Sequence, residues 1–92
     1  MPPPMAEDIE IRRKRLLHRS RYTGIKETDI LLGAFAEAYL PTFDEGQLDR
    51  YEALLESGSD LMIYAWTVGA KPVPPEYDND IMALLKAFKL KV

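Results

Sequence analysis

The sequence predicts an all-α fold, a compact five-helix bundle that forms a single domain over residues 1–92. A chain of 92 residues has room for one hydrophobic core. Apolar side chains recur at the spacing i, i+3, i+4, i+7, which is typical of helices that bury one face. No segment combines the strict apolar–polar alternation of a strand with hairpin turns.

The first predicted helix covers residues 7–21, a stretch without glycine or proline in which acidic residues precede basic ones. That order favours a helix, because carboxylates stabilise the N-terminus and cations the C-terminus. Thr23 and Gly24 end the helix, since glycine readily adopts the positive φ found beyond helix C-termini. The proline-rich residues 1–6 are expected to be flexible.

The second helix is predicted over residues 26–39, and Pro41 ends it. One apolar stripe at helical spacing gives its buried face: Leu31, Ala34, Phe35 and Ala38.

The third helix has the clearest start. Asp44 is an N-cap and Gln47 completes a capping box, while Phe43 and Leu48 sit where a hydrophobic staple closes. The helix is expected to end at Ser57–Gly58. Its predicted inner face is Leu48, Tyr51 and Leu55.

The last two helices flank a stiff, extended connector, AKPVPP. The fourth helix is predicted to start at Ser59 or Asp60 and to end at Gly69, and the fifth to start at Pro75. The apolar positions of the fourth are Leu61, Tyr64, Ala65 and Val68. Those of the fifth are Ile81, Leu84, Leu85 and Phe88.

Composition excludes several kinds of site. The chain has no cysteine, which rules out disulfides, thiolate metal sites and a cysteine nucleophile. His18 is the only histidine, so a site needing two imidazoles is excluded. No apolar run is long enough for a transmembrane helix, and no signal peptide is recognisable.

Charge is distributed unevenly. Residues 1–26 carry seven Lys/Arg against three acids, and residues 27–92 carry five against twelve. The basic run IRRKRLLHRSR is either a solvated helix face or a local contact for an anionic group. The acidic remainder argues against general nucleic-acid binding.

The sequence contains little evidence for a catalytic site. The carboxylate pairs Glu27/Asp29 and Asp78/Asp80 lie two residues apart, so their members point in different directions on a helix. Phosphate-binding glycine motifs and EF-hand spacing are absent from the sequence. Trp66 is either a core residue or an aromatic edge that a partner uses. The residues alone therefore indicate a helical protein that binds another macromolecule.

The stretch SRYTGIKETDILLGAFAEAYL resembles the SdhE-like family of succinate dehydrogenase flavinylation factors. The family signature is Arg-Gly-x-x-Glu followed by an acid. Gly24 and Glu27 match it, Asp29 matches the acid, and Arg21 matches a further basic position, whereas Thr23 replaces the arginine. The resemblance continues through FDEGQLDRYEALLE, DLMIYAW and PPEYDNDIMALLKAFKL, and covers about 80 residues from Ile11 to Phe88.

The resemblance implies a small five-helix bundle that acts as an assembly chaperone. Members of the SdhE-like family promote covalent attachment of FAD to the flavoprotein subunit of succinate dehydrogenase and, in bacteria, to that of fumarate reductase. It further implies that the chain has no active site of its own, holds no metal, and binds no FAD stably, since the FAD belongs to the client. The residues expected to contact the client are Gly24, Glu27, Arg21, Asp29, His18 and Trp66.

We also expect a monomer without nucleic-acid binding or membrane insertion. The start at Met1 favours a bacterial cytoplasmic protein, and a eukaryotic source implies the mitochondrial matrix. Two alternatives remain open at this point. One is an antitoxin-like or general helical adaptor for another protein. The other is a small acid–base or FAD-modifying enzyme that uses Glu27 and His18.

Overall fold

The computed structural model describes residues 8–57 and 60–89. Over these residues the chain forms five α-helices and two short 3₁₀ helices, without a strand, which confirms the predicted five-helix bundle. The α-helices are α1 (Ile9–Arg21), α2 (Lys26–Tyr39), α3 (Glu45–Leu55), α4 (Asp60–Thr67) and α5 (Asp80–Lys89), and the 3₁₀ helices are Leu40–Thr42 and Pro75–Tyr77. No helix in this part of the chain has the length and apolarity to cross a membrane.

The core is built around α2, which contacts α1, α4 and α5. Phe35 lies at its centre. Its ring centroid is 4.8 Å from that of Tyr39, 6.1 Å from Phe43, and 5.7 Å from both Tyr51 and Phe88. These edge-to-face and tilted contacts join α2 to α3 and α5 through aromatic packing.

The buried face of α2 is broader than predicted. Leu31 and Phe35 are buried, as expected, but Ala34 is half-buried and the prediction that Ala38 is buried is wrong. Leu32 and Ala36 are fully buried instead. Because α2 packs against three helices, its buried surface is wider than one i, i+3, i+4, i+7 stripe.

The start of α3 agrees with its sequence signature. The Asp44 carboxylate accepts from the Gln47 backbone N–H at 2.8 Å, and the Gln47 side chain accepts from the Asp44 N–H at 3.0 Å. Phe43 and Leu48 are both buried beside this capping box. The helix ends at Leu55, two residues before the predicted Ser57, and Gly58 lies outside the described residues.

The apolar positions named for the fourth helix are not the ones that α4 buries most deeply. Ile63, Trp66 and Thr67 are buried, whereas Leu61 is exposed and the other predicted positions, Tyr64, Ala65 and Val68, are half-buried. α4 has eight residues and is apolar on most sides, so its sequence contains too little periodicity to identify the inner face. Its end is correct, because Gly69 follows with φ +82°. Asp60 is the first helical residue, and Ser59 lies outside the described residues.

The fifth helix starts later than predicted. Pro75 begins the 3₁₀ helix, and α5 begins at Asp80. Asn79 supplies the missing start signal, because its side-chain oxygen accepts from the N–H groups of Ile81 (3.1 Å) and Met82 (3.3 Å). Ile81 and Leu85 are buried as predicted, together with Met82, while Leu84 and Phe88 are half-buried.

The basic side chains of α1 add ion pairs and hydrogen bonds to the packing of its buried Leu16 in the core. Arg12 reaches Asp49 (2.6 Å) and Glu52 (2.9 Å) on α3, and Arg19 reaches Asp60 (3.0 Å) on α4. Arg13 donates to the carbonyl oxygens of Leu40 (2.9 Å) and Phe43 (2.7 Å).

All six arginines of the sequence form ion pairs with carboxylates of the same chain. The basic run is therefore mainly an internal docking surface. The described part of α1 begins with Asp8 as N-cap, and Glu7 and the predicted flexible residues 1–6 lie outside the described residues.

Candidate partner-binding surface

The turn between α1 and α2, residues 22–25, positions most of the predicted site residues. Tyr22 is the C-cap of α1, with its N–H directed to the Arg19 carbonyl. Gly24 has φ +92°, and a Cβ placed there meets no atom within 4 Å. Glycine is thus required by the backbone conformation, because only glycine adopts it without strain, and the space around the turn is open.

Asp29 closes this turn from the first turns of α2. Its Oδ1 accepts both from the Thr23 backbone N–H and from the Thr23 hydroxyl, each at 2.5 Å. The Thr23 hydroxyl oxygen in turn accepts from the Ile25 N–H at 3.2 Å. The Thr23 hydrogen bonds, together with one from the Gly24 N–H, hold the pKa of the Asp29 carboxyl below its usual range. The hydrogen bonds of Asp29 therefore stabilise the turn between α1 and α2.

Glu27 projects from the first turn of α2, three residues after Gly24. Its side chain is exposed, and within the described residues it has no hydrogen bond or ion pair. A carboxylate here is favoured by the helix dipole. Gly24 and Glu27 together present open backbone and a free carboxylate at the same end of α2.

Arg21 points away from this end. Its guanidinium pairs with Glu37 at 2.8 Å, ten residues beyond Glu27 on the same helix, which is roughly 15 Å along the axis at 1.5 Å per residue. The side chain crosses α2 at Gly33, where an added Cβ would lie 3.3 Å from the Arg21 Cγ. The ion pair holds Arg21 against α2, and a client contact at Arg21 stays a prediction.

His18 borders the turn. Its ring packs against that of Tyr22 in a tilted arrangement with centroids 4.6 Å apart, and an open pocket of about 320 Å³ lies beside the two rings, between α1 and α3. Tyr22 is 68% exposed and was missed by the sequence reasoning. Its position directly before Thr23–Gly24 is the signal that could have identified it. Ile30, exposed one turn after Glu27, was also missed.

Trp66 lies in the core. It is 7% exposed and stacks on Tyr77 with ring centroids 5.4 Å apart. The structure thus separates Trp66 from the exposed surface near Gly24, and a client contact at Trp66 stays a prediction. In the described residues no hydrogen bond joins Glu27 to His18, and no group of three or more potential ligands is arranged to hold a metal.

Comparison with known proteins identifies the family. The family described as "Flavinator of succinate dehydrogenase" matches residues 14–89, most of the chain. The chain belongs to this family. The flavinator match includes the whole α1–α2 turn and every helix apart from the start of α1.

Curated relatives agree with the flavinator assignment. "Succinate dehydrogenase assembly factor 2, mitochondrial" of Drosophila grimshawi is 47% identical over 81 residues, covering 87% of this chain and 55% of the relative. The protein of the same name from Danio rerio is 43% identical over 83 residues, covering 89% of this chain and 52% of the relative. The chain spans about half the length of these relatives.

Proposed function

We propose that this protein is an assembly chaperone that promotes covalent attachment of FAD to the flavoprotein subunit of succinate dehydrogenase. The match of residues 14–89 to the flavinator family is the observation that carries this proposal. The names of the curated relatives, which are succinate dehydrogenase assembly factors, support it. The proposal includes fumarate reductase, a related flavoprotein, as a second client for covalent FAD attachment.

The surface at Gly24 and Glu27 is suited to docking. Because Gly24 has no side chain and open space around it, a client backbone can approach closely. The unpaired Glu27 carboxylate can accept hydrogen bonds from an imidazole or a basic group of the client. Docking of this kind accelerates attachment by ordering the client, while the covalent bond forms within the client.

The proposal also includes the absence of an active site and of stably bound FAD in this protein. It acts as a monomer, without nucleic acid and without inserting into a membrane. It works in the compartment where the flavoprotein folds, which is the bacterial cytoplasm or the mitochondrial matrix. The word "mitochondrial" in the relatives' names supports the second location.

The direct test is in-gel flavin fluorescence of the flavoprotein subunit, produced with and without this protein. We expect covalent flavin to rise severalfold when the protein is present. Equal fluorescence in both preparations would contradict the proposal. Purification of the protein with an unrelated partner only would favour an adaptor, and turnover by the isolated protein would favour an enzyme.

Gly24→Arg tests the docking surface, and we expect it to abolish flavinylation while the protein stays folded. Strain at positive φ costs roughly 1–2 kcal/mol, which the bundle can survive. Gly69→Arg is a matched control, because Gly69 also has positive φ (+82°) and no atom within 4 Å of an added Cβ.

Melting temperature and client flavinylation are measured on the same preparations. The two variants should lose similar stability, and only Gly24→Arg should lose activity. Equal activity of the two folded variants would remove the α1–α2 turn from the mechanism.

Glu27→Ala tests the carboxylate separately, and we expect it to weaken flavinylation. The stability loss should be small, about 0.3–1 kcal/mol, since the residue is an exposed first-turn acid. Glu45→Ala removes the equivalent first-turn acid of α3 and should leave flavinylation unchanged. An equal effect of both variants would assign Glu27 to helix stability alone.

A further inference from the structure

A ring of hydrogen bonds fixes the backbone on both sides of Gly24. The Ile25 N–H donates to the Thr23 hydroxyl oxygen, and the Thr23 hydroxyl and N–H both donate to Asp29 Oδ1. The N-cap of α2, Ile25, forms no side-chain cap, and the Thr28 hydroxyl ties the first turn of the helix to the Asp60 carbonyl oxygen (3.3 Å) of α4. The orientation of the turn relative to the first residues of α2 therefore depends on Thr23 and Asp29.

We propose that Thr23 and Asp29 are positioning residues that hold Gly24 and Glu27 in the relative geometry the client recognises. The inference rests on the proposed function and adds to it which residues contact the client and which residues position them. Glu27 and the Gly24 backbone contact the client. Asp29 acts through Thr23 and makes no client contact of its own.

The chemistry of the two side chains supports this division. Asp29 is half-buried, and one carboxylate oxygen already accepts two hydrogen bonds from Thr23. Glu27, two residues earlier, is exposed and has no partner in the described part of the chain. A hydroxyl is suited to position 23 because it accepts from Ile25 while it donates to Asp29, whereas an arginine side chain has no acceptor.

A double-mutant cycle on client binding tests the proposal. Affinity of the full chain for the purified, unflavinylated flavoprotein subunit is measured for wild type, Thr23→Val, Asp29→Ala and the double variant. Each single change should weaken binding by roughly tenfold, as loss of a hydrogen bond to a charged group does. The double variant should be no more than about twofold weaker than either single variant, because both changes break one ring.

Conservative variants separate positioning from direct contact. Thr23→Ser keeps the hydroxyl and Asp29→Asn keeps an acceptor oxygen, so both should restore most of the affinity. Asp29→Asn as weak as Asp29→Ala would indicate a charged contact with the client and overturn the proposal. Thr42→Val is the matched control, since it removes a hydroxyl that donates to the Tyr39 carbonyl (2.8 Å) at the other end of α2.

Amide hydrogen exchange in the free protein tests the ring without the client. The N–H groups of Gly24 and Ile25 should exchange faster in Thr23→Val and Asp29→Ala than in wild type. Faster exchange with unchanged affinity, or multiplicative losses in the double variant, would overturn the positioning role. Failure of the wild-type protein to bind the flavoprotein would instead refute the proposed function.

Discussion

Phe35 is the residue on which the packing of the bundle most depends, because its ring touches aromatic residues from three other segments. Phe35→Ala should lower the free energy of unfolding by about 3–5 kcal/mol. That is a large part of the roughly 5–10 kcal/mol expected for a small domain. Urea denaturation monitored by circular dichroism measures the loss.

Phe88→Ala provides the comparison, because Phe88 is half-buried at the edge of the same aromatic group. Its loss should be clearly smaller than that of Phe35→Ala, since fewer atoms leave a buried environment. Equal losses would mean that Phe35 is not the centre of the core.

At the residue scale the sequence identified Gly24 and Glu27 correctly as a glycine turn and an exposed first-turn acid. Both depend on local backbone conformation, which short sequence patterns encode. The sequence did not identify the partners of Arg21 and Asp29. Glu37 and Thr23 become their partners only when α1 and α2 pack, so tertiary geometry decides their roles.

The ion pairs that α1 forms with α3 and with α2 differ in exposure and in number. Glu52 of α3 is 20% exposed and binds both Arg12 and Arg15, whereas Glu37 of α2 is 63% exposed and binds Arg21 alone. Glu52→Gln should cost about 1–2 kcal/mol, because two guanidinium groups lose their shared carboxylate. Glu37→Gln should cost at most about 0.5 kcal/mol, as is usual for an exposed pair.

Chemical denaturation of both variants at low salt checks this order. The difference between them should persist in high salt, since screening weakens the exposed Glu37 pair much more than the partly buried Glu52 pairs. Similar losses for the two variants would show that α1 is held by apolar packing and not by its arginines.

Element boundaries were predictable where a local signal existed. The capping box of α3 and the glycine after α4 marked their positions correctly. The fifth helix was placed too early, because Pro75 suits the first position of either a 3₁₀ or an α-helix and the Asn79 cap was overlooked. The inner face of α4 needed the tertiary structure, since an apolar helix of two turns has no distinct polar side.

At the scale of the whole molecule, stability should fall in acid. The Thr23 hydrogen bonds lower the pKa of Asp29, and the Arg50 hydrogen bond lowers the pKa of Asp80. The Arg50–Asp80 ion pair joins α3 to α5. A lowered folded-state pKa means that the folded protein binds fewer protons than the unfolded chain. In the unfolded chain the aspartates have a pKa of about 3.9. Their contribution is present above that pH and is lost as pH falls through the folded-state pKa.

Urea midpoints measured from pH 7 down to pH 2 check this expectation. The decline below about pH 4 should be shallower in the Asp29→Asn and Asp80→Asn variants, since each lacks one of the titrating groups. A wild-type midpoint that is independent of pH in this range would contradict it.

The ion pairs of α1 also limit when its contacts with α3 and α4 can form during synthesis. Arg12 pairs with Glu52, 40 residues later, and Arg19 with Asp60, 41 residues later. At a translation rate of about 5–20 residues per second, α1 waits roughly 2–8 s before these carboxylates exist. Throughout that interval Arg12 and Arg19 lack their partners on α3 and α4, while α2, which follows α1 directly, is already available for packing. α1 and α2 can therefore pack together first, and the α1 contacts with α3 and α4 follow once those helices are made.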